Sequence, residues 1–437
     1  MGWLPFDPKY PTLVLFVVAY VLIVLFYHRK GLVAWCAVAV LLAAGIISPR
    51  AALQSVEWNV ILLYLGMLFV SDAFLSSRMP DHLATILASR TRSAGAAMLV
   101  ICIFTGLLSM ALENVAVVLL IAPVALSIAR SCRVSPVPLF IGMAISSNLQ
   151  GAATLIGDPP SMLLASYSGM SFNDFFMYHG RPSIFFAVQV GALISWAVLA
   201  FLYRRHRNPM PPITIVPFTS LIPTLLVAGL VVALIFVSAL FRGAPLATGI
   251  TCCAVGVASL AWRITHARAS DPARPPALPL LVETVKRQDL ATAGFLIGIF
   301  ILVGSVSATG ILGDLSRLLL RVSGGNALVV FLLVVWGAVL LSAFVDNVPF
   351  LVAMLPVVSM AAKDLGIDPA PLFFGLLVGA SIGGNITPVG ASANIVAMGI
   401  VRNEGHQVGF FEFVKIGLPF TVAAVVGASA FIWLAAA

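Results

Sequence analysis

Two segments of the chain place a carboxylic acid directly before an amide inside an otherwise apolar stretch. Glu113 precedes Asn114, and Asp346 precedes Asn347. A charge at bilayer depth costs at least ~2.5–3.5 kcal/mol on insertion scales, so such a residue usually has a function or a partner. Removal from water favours the protonated carboxyl, whereas a bound cation favours the ionised one. Glu113 and Asp346 are therefore candidates for exchanging a proton against a substrate, and structural capping is the alternative.

Two further acids lie in apolar segments. Asp158 is followed by Pro159 and Pro160, and a carboxylate at a helix start caps free N–H groups and complements the helix dipole. This structural role and a role in binding both stay open for Asp158. Asp72 could assist proton movement or pair with an arginine such as Arg78 near the inner surface, and the structural interpretation is favoured.

Amides and hydroxyls accompany these acids around two interrupted apolar segments and can bind a small substrate without a permanent charge. The predicted binding set is Glu113, Asn114, Asn148, Gln150, Thr154, Asp158, Asp346, Asn347, Asn385, Thr387, Ser392 and Asn394. The five cysteines show no metal-ligand spacing, and we find no nucleophile–base pair and no phosphate-binding GxxxxGK[ST] motif. We therefore predict no catalytic residue, no metal, no cofactor and no enzymatic activity.

The elements that must position these residues are membrane helices. Of the 437 residues, 61% are hydrophobic and only 9% are charged, whereas soluble domains carry roughly 25% charged residues. Apolar runs of about 20 residues, the length that spans a bilayer, recur along the chain. The fold class is an all-α polytopic membrane protein with about ten transmembrane helices. The predicted crossings are 11–27, 31–48, 58–76, 138–168, 182–203, 219–241, 246–263, 290–310, 370–402 and 413–434.

Four of the apolar segments are unusual. Segments 138–168 and 370–402 are too long for one straight helix and are predicted to be broken in the middle. Segments 95–130 and 326–362 each consist of two short apolar arms around a polar tip, which predicts re-entrant hairpins. The polar linker 264–289, with Pro272, Pro275, Pro276 and Pro279, is predicted to be a cytoplasmic loop.

A sequence repeat divides the chain into 1–210 and 211–437. The segment 108–114 matches 341–347, and the segment 154–157 matches 387–390, both at an offset of 233 residues. Each half contains an odd number of crossings, so we predict that the two repeats are inverted. Inverted repeats with broken helices are the architecture of secondary transporters.

The basic residues predict the orientation. The net charge of +8 is scattered between apolar runs, which is typical of membrane topology and not of nucleic-acid binding. With both termini outside, most of the 24 Lys and Arg residues, among them Lys30 and Arg263, fall in inner loops. We predict an integral protein of the inner membrane, surrounded by lipid, with both termini on the periplasmic side.

Three motifs resemble the ion transporter superfamily, and within it the ArsB/NhaD/P-protein group of permeases. They are Ala153-Thr154-Leu155-Ile156-Gly157-Asp158-Pro159-Pro160, Val345-Asp346-Asn347-Val348-Pro349, and the segment Gly384-Asn385-Ile386-Thr387-Pro388-Val389-Gly390-Ala391-Ser392-Ala393-Asn394. The resemblance covers about residues 30–430. It implies a scaffold domain and a transport domain, the latter with both hairpins and both broken helices, an elevator-type movement and a homodimer.

The tips and the first break depart from related patterns. The sodium-coupled dicarboxylate branch of the superfamily carries Ser-Asn-Thr at each tip, whereas this chain has Glu113-Asn114-Val115 and Asp346-Asn347-Val348. An acidic tip repels carboxylates and favours cations, protons or a neutral polyhydroxyl. Within the closer group, Gly-Gly-Thr is replaced here by Gln150-Gly151-Ala152, and the Asn after Asp-Pro-Pro is replaced by Ser161.

Three functions are compatible with these features. The leading hypothesis is proton-coupled efflux of arsenite or antimonite, in which the neutral trihydroxide is bound by amides and hydroxyls, and Glu113 and Asp346 couple the protons. The second is a Na⁺/H⁺ antiporter that uses the same acids. The third is a passive facilitator or channel subunit that works with a soluble ATPase docked on loop 264–289.

Overall fold

The computed structural model describes residues 9–26, 29–241, 243–244, 246–270 and 276–436. Within them the chain is almost entirely helical, apart from a two-stranded antiparallel ribbon of β1 (Met177–Tyr178) and β2 (Arg181–Pro182). The helices in this part of the chain are α1 (Lys9–Leu25), α2 (Lys30–Ala43), α3 (Pro49–Gln54), α4 (Trp58–Ser76), α5 (Met79–Ser89), α6 (Ala94–Ser109), α7 (Asn114–Ser131), α8 (Val137–Gly151), α9 (Pro159–Ser168), α10 (Ile184–Tyr203), α11 (Ile222–Leu240), α12 (Ala247–Ser270), α13 (Ala277–Lys286), α14 (Leu290–Ala308), α15 (Ile311–Ser323), α16 (Ala327–Ser342), α17 (Asn347–Leu365), α18 (Ala370–Gly383), α19 (Ser392–Asn403) and α20 (Phe410–Ala436).

Many of these helices are suited to a bilayer. Among the described residues, 8 helices are long and apolar enough to cross a membrane, or 9 if the bent pair α15–α16 is one span. Helices α1, α2 and α6 are apolar but shorter, as is α18. The chain is therefore an integral membrane protein, and the predicted all-α polytopic class is confirmed. The prediction of about ten crossings counted some of these shorter helices, such as α1 and α2, as crossings.

Four shorter helices, α3, α5, α13 and α15, were not predicted. Helix α15 carries Asp314, Arg317 and Arg321 together with several leucines, and it meets α16 at 117°. Such an amphipathic helix is suited to lie along the membrane surface. The predicted loop 264–289 is largely helical, because α12 continues to Ser270 and α13 follows. Pro279 lies in the first turn of α13, where proline is tolerated, while Pro272 and Pro275 lie outside the described residues.

The chain turns back at the two positions predicted for hairpin tips, but α7 and α17 are each long and apolar enough to cross a membrane, so the re-entrant character of the hairpins stays a prediction. Their tips are the turns between α6 and α7 and between α16 and α17. The arms have 16 to 19 residues, so they are longer than the short arms predicted. Both predicted breaks are also present: α8 and α9 are separated at 152–158, and α18 and α19 at 384–391.

Glycine lets two backbone segments approach each other closely at each break. A Cβ atom on Gly157 would lie 2.3 Å from the carbonyl oxygen of Gly151, and a Cβ atom on Gly390 would lie 2.5 Å from that of Gly384. These distances exclude any side chain. The two glycine pairs are related by the same offset of 233 residues as the sequence repeat.

Hydrogen bonds between each hairpin and its broken helix follow the same offset. The Thr154 hydroxyl donates to the carbonyl oxygen of Met110, and the Thr387 hydroxyl donates to that of Ala343. The sequence repeat therefore recurs as equivalent contacts. The inverted orientation of the two halves stays a prediction.

The packing defines two helix groups. The first helix group contains α1, α2, α4, α11, α12 and α14, and the second contains α6–α10 and α16–α20. Helices α4 and α12 pack closely, since a Cβ atom on Gly66 would lie 2.4 Å from the carbonyl carbon of Cys252. The second group contains both hairpins and both broken helices, which is the composition that the resemblance implies for a transport domain. Movement of one group against the other stays a prediction.

Candidate functional site

A cavity of about 170 Å³ lies between the two helix groups and receives both hairpin tips. The first group contributes α2, α4 and α14, and the second contributes the tips and the starts of α9 and α19. Polar side chains of both groups line the cavity. They are Lys30, Tyr64, Glu113, Asn114, Asn148, Asp158, Asp289, Thr292, Asp346, Asn347 and Ser392.

Four of the helices that begin at this cavity have an acidic N-cap. In each case a carboxylate oxygen accepts a hydrogen bond from a backbone N–H in the first turn of its own helix, which satisfies a donor that the helix leaves free. The donor–acceptor distances are 2.8 Å from Ala116 to Glu113, 2.9 Å from Ser161 to Asp158, 3.1 Å from Thr292 to Asp289 and 3.2 Å from Val348 to Asp346. Capping is therefore a structural role of all four acids. One carboxylate can both cap a helix and face the cavity.

A fifth helix begins at the cavity without such a cap. Helix α19 has Ala391 at its N-cap position, and the methyl side chain of this residue forms no cap hydrogen bond. Asp158 and Ala391 are equivalent in the sequence repeat, so the two broken helices differ in charge at this point. The start of a helix favours oxygen-rich or anionic groups.

The cavity wall contains a basic side chain, that of Lys30. Its Nζ atom lies 2.6 Å from Oδ2 of Asp346, and the two side chains are 17% and 13% exposed. The same Nζ lies 4.8 Å from the centre of the Phe295 ring on α14. The sequence analysis counted Lys30 among the inner-loop charges, and its side of the membrane stays a prediction. In the structure it is the first residue of α2 and forms an ion pair with a hairpin tip, which was not predicted. Among the described lining residues, one ammonium thus stands against four carboxyl groups.

Three asparagines connect the two broken helices. The Asn148 amide nitrogen lies 2.8 Å from Oδ1 of Asn385 and 3.0 Å from Oδ1 of Asn394. The Asn394 amide then donates to the carbonyl oxygens of Gly384 and Thr387. Asn148 reaches the cavity wall, whereas Asn385 and Asn394 lie behind it and satisfy the backbone around the second break.

The structure divides the predicted binding set. Seven members line the cavity: Glu113, Asn114, Asn148, Asp158, Asp346, Asn347 and Ser392. The other five, Gln150, Thr154, Asn385, Thr387 and Asn394, are absent from its wall. Gln150 forms a reciprocal amide pair with Gln189 on α10, with distances of 3.0 and 2.9 Å. A role of these five in binding would have to act through neighbours.

Sequence reasoning missed Lys30, Tyr64, Asp289 and Thr292. The Tyr64 hydroxyl lies 3.5 Å from Oδ2 of Asp289, whose carboxylate also accepts from the Thr292 hydroxyl at 2.6 Å. One signal was available: an aspartate directly before an apolar run is typical of a helix start.

Asp72 has a different partner from the one predicted. Its carboxylate lies 3.3 Å from Nε of Arg263 on α12, and both side chains are about one quarter exposed. Arg78, the predicted partner, instead lies 3.7 Å from Asp81. The structural interpretation of Asp72 fits this contact, because the pair joins α4 to α12 within the first helix group.

The acids of the cavity are dispersed. Across the described ranges, no group of three or more His, Cys, Asp and Glu side chains is arranged to hold a metal ion. A monovalent cation in this cavity would have to use amide, hydroxyl or backbone oxygens together with individual carboxylates. The site can thus bind a small polar solute and can hold protons on separated acids.

The fold and the cavity define a membrane transporter of the ion-transporter type. The chain belongs to the family described as "Citrate transporter", whose profile matches residues 18–268 and 246–437. An uncharacterised transporter of Mycobacterium tuberculosis is 30% identical over 434 residues, covering 96% of this chain and 97% of the relative. The P protein of Sus scrofa is 24% identical over 92% of this chain, which spans 56% of that relative. The resemblance to the ion transporter superfamily is confirmed.

Two solved structures share the fold. The YdaH transporter of Alcanivorax borkumensis superposes with a TM-score of 0.59 at 14% identity, with 98% of each chain covered. MtrF of Neisseria gonorrhoeae, described as one of a class of antimetabolite efflux pumps, gives a TM-score of 0.52 at 13% identity, with 99% of this chain and 95% of MtrF covered. At these identities the similarity concerns the fold alone.

Proposed function

We propose that this chain is a proton-coupled secondary transporter that exports arsenite or antimonite across the inner membrane. The observation that carries the proposal is the cavity, in which four carboxyl groups and three amide side chains from both hairpins, the first broken helix and the start of α14 surround about 170 Å³. Glu113 and Asp346 are the proposed carriers of the coupled protons.

The charge of the cavity supports a neutral substrate. With every group ionised, four carboxylates face one ammonium. Two like charges 4 Å apart repel by about 4 kcal/mol at an effective dielectric constant of 20. A free citrate ion, which carries several carboxylates, would meet this repulsion and would need a cation bound with it. A neutral trihydroxide meets no such penalty.

The amides support a substrate that presents hydroxyl groups. Asn114, Asn148 and Asn347 line the cavity, and each amide side chain offers both donors and an acceptor. Arsenite and antimonite, as trihydroxides, also donate and accept hydrogen bonds. A proton taken up by Glu113 or Asp346 would change the charge of the cavity and thereby couple its occupancy to pH.

Everted vesicles test this proposal. We expect vesicles containing the chain to accumulate arsenite or antimonite when their interior is acidified, and a protonophore to abolish the accumulation. Glu113→Gln together with Asp346→Asn should reduce the initial rate more than tenfold, while Glu412→Gln on the exposed side of α20 should have no effect. Accumulation that is no greater than in empty vesicles would remove the substrate assignment. Accumulation unchanged by the double substitution would remove the coupling role.

A Na⁺/H⁺ antiporter is the second candidate, favoured by the excess of carboxyl groups over bases in the cavity. Its test uses the same vesicles with an interior pH dye. Proton release on addition of Na⁺, but not of arsenite, would select it. Citrate added with and without Mg²⁺ tests the substrate in the family's name. A requirement for ATP in place of the proton gradient would select the third candidate, a facilitator with a soluble ATPase.

A further inference from the structure

The ion pair between Lys30 and Asp346 connects the two helix groups across the cavity. Lys30 begins α2 in the first group, and Asp346 caps α17 in the second, with 2.6 Å between Nζ and Oδ2. Lys30 is also held within its own group by the Phe295 ring of α14. Any movement of the second group along the first must therefore break this pair.

The surroundings of the pair are acidic. Glu113, Asp158 and Asp289 line the same cavity. Tyr20 on α1 lies near enough to Asp346 for an electrostatic interaction, and Tyr64 on α4 stands in the same relation to Glu113 and Asp289. Among the described residues of the cavity wall, Lys30 is the base that offsets this charge. If Asp346 leaves Lys30 in its ionised form, an unneutralised carboxylate remains in a cavity lined by three other acids. Once the pair separates, the acids of the hairpin tips have to be neutralised by something that enters the cavity.

We propose that Lys30 is a tethered counter-ion of Asp346 and determines what the transporter must bind before it changes conformation. In the conformation described, the ammonium neutralises Asp346. A proton that enters the cavity binds the Asp346 carboxylate, Lys30 keeps its own proton, and the ion pair dissociates. Only then can the second helix group leave Lys30. This inference rests on the coupling role of Asp346 proposed above and does not depend on the identity of the substrate.

The first test uses the unaltered chain in proteoliposomes. A carbodiimide joins a carboxylate to an amine without a spacer, so it should link Asp346 to Lys30, detected by peptide mass spectrometry. We expect the yield at neutral pH to fall severalfold when the pH is lowered to 5. Absence of the link at neutral pH, or a yield that does not depend on pH, would overturn the proposal, because the pair would then be missing or static.

The second test compares variants. Lys30→Gln removes the ammonium, and Lys30→Arg keeps a positive charge at this position. Lys9→Gln is a matched control because Lys9 pairs with Asp314 at 2.5 Å, outside the cavity. We expect the pH of half-maximal proton-coupled arsenite accumulation to rise by about one unit in Lys30→Gln, since one unit corresponds to a tenfold change in proton affinity. It should return toward the parent value in Lys30→Arg.

The outcomes separate the two proposals. A profile of Lys30→Gln that coincides with that of Lys9→Gln would overturn the counter-ion role. If arsenite is not transported at all but the link forms and is lost on acidification, the substrate assignment fails and the counter-ion role stands. Because the linking experiment uses the parent chain, poor folding of a variant does not affect it.

Discussion

Substitution of Asn148 by alanine tests how the two broken helices are held together. Asn148 is 4% exposed, and its amide donates to Asn385 and Asn394, which are both fully buried. Asn148→Ala removes both donors at once and leaves two buried amide oxygens without them. The substitution also removes a connection between the two halves of the chain.

The expected cost follows from the two acceptors. A buried acceptor that loses its partner costs about 1–3 kcal/mol, so the variant should lose about 2–6 kcal/mol of stability. The unfolding entropy of about 2.1 cal/mol/K per residue, applied to 437 residues, makes each kcal/mol equal to about 1 °C. The midpoint of thermal unfolding should therefore fall by roughly 2–6 °C.

The measurement is thermal unfolding of the purified chain in detergent, followed by intrinsic fluorescence. Asn148→Asp provides a second variant of the same size, and it should destabilise at least as much because an ionised carboxylate cannot donate to the two amide oxygens. Asn403→Ala is the matched control, since this asparagine is exposed at the end of α19. If all three variants unfold within roughly 1 °C of the parent, the network does not join the broken helices as described.

Three further predictions concern packing, charge pairing and capping. Gly66→Ala should destabilise the chain by about 1–3 kcal/mol, because its Cβ would lie 2.4 Å from the backbone of α12. Gly399→Ala, with no atom within 4 Å of its Cβ, should stabilise it by up to about 1 kcal/mol, and thermal unfolding of both variants checks this. Asp72→Leu and Arg263→Met should each be less stable than the double variant, because each single change leaves an unpaired charge. Additive effects in the cycle of single and double variants would contradict the pair. Asp158→Asn should keep the cap of α9, whereas Asp158→Ala should lose about 1 kcal/mol. If the charge of Asp158 also serves transport, both variants should slow arsenite accumulation equally.

Local sequence signals predicted the interruptions well. Glycine, proline and asparagine stop a helix by their own backbone and side-chain chemistry, so the breaks near Gly157 and Gly390 and the tips before Asn114 and Asn347 could be located without a structure. The repeat then indicated that the two tips are equivalent, and the structure places both at one cavity. The amphipathic helix α15 was missed although its charges and leucines alternate with helical spacing.

Contacts between distant helices could not be predicted in this way. Lys30 lies at the end of an apolar run, where a base ordinarily marks the membrane surface. Nothing within its own segment indicates that Asp346 is its partner. The choice between Arg78 and Arg263 as the partner of Asp72 likewise depends on how α12 packs on α4. Such pairings are set by tertiary packing, on which the spacing of residues along one helix carries no information.

The acidic N-caps have a consequence for how the substrate specificity of such a cavity can change by substitution. Serine, asparagine and aspartate all cap a helix well, so each acid could be exchanged for a neutral capping residue with little effect on the helix behind it. The serine that begins each tip in the dicarboxylate branch is itself a good capping residue. The sign of the charge that the cavity accepts can therefore be altered one position at a time, while the scaffold that carries it stays unchanged.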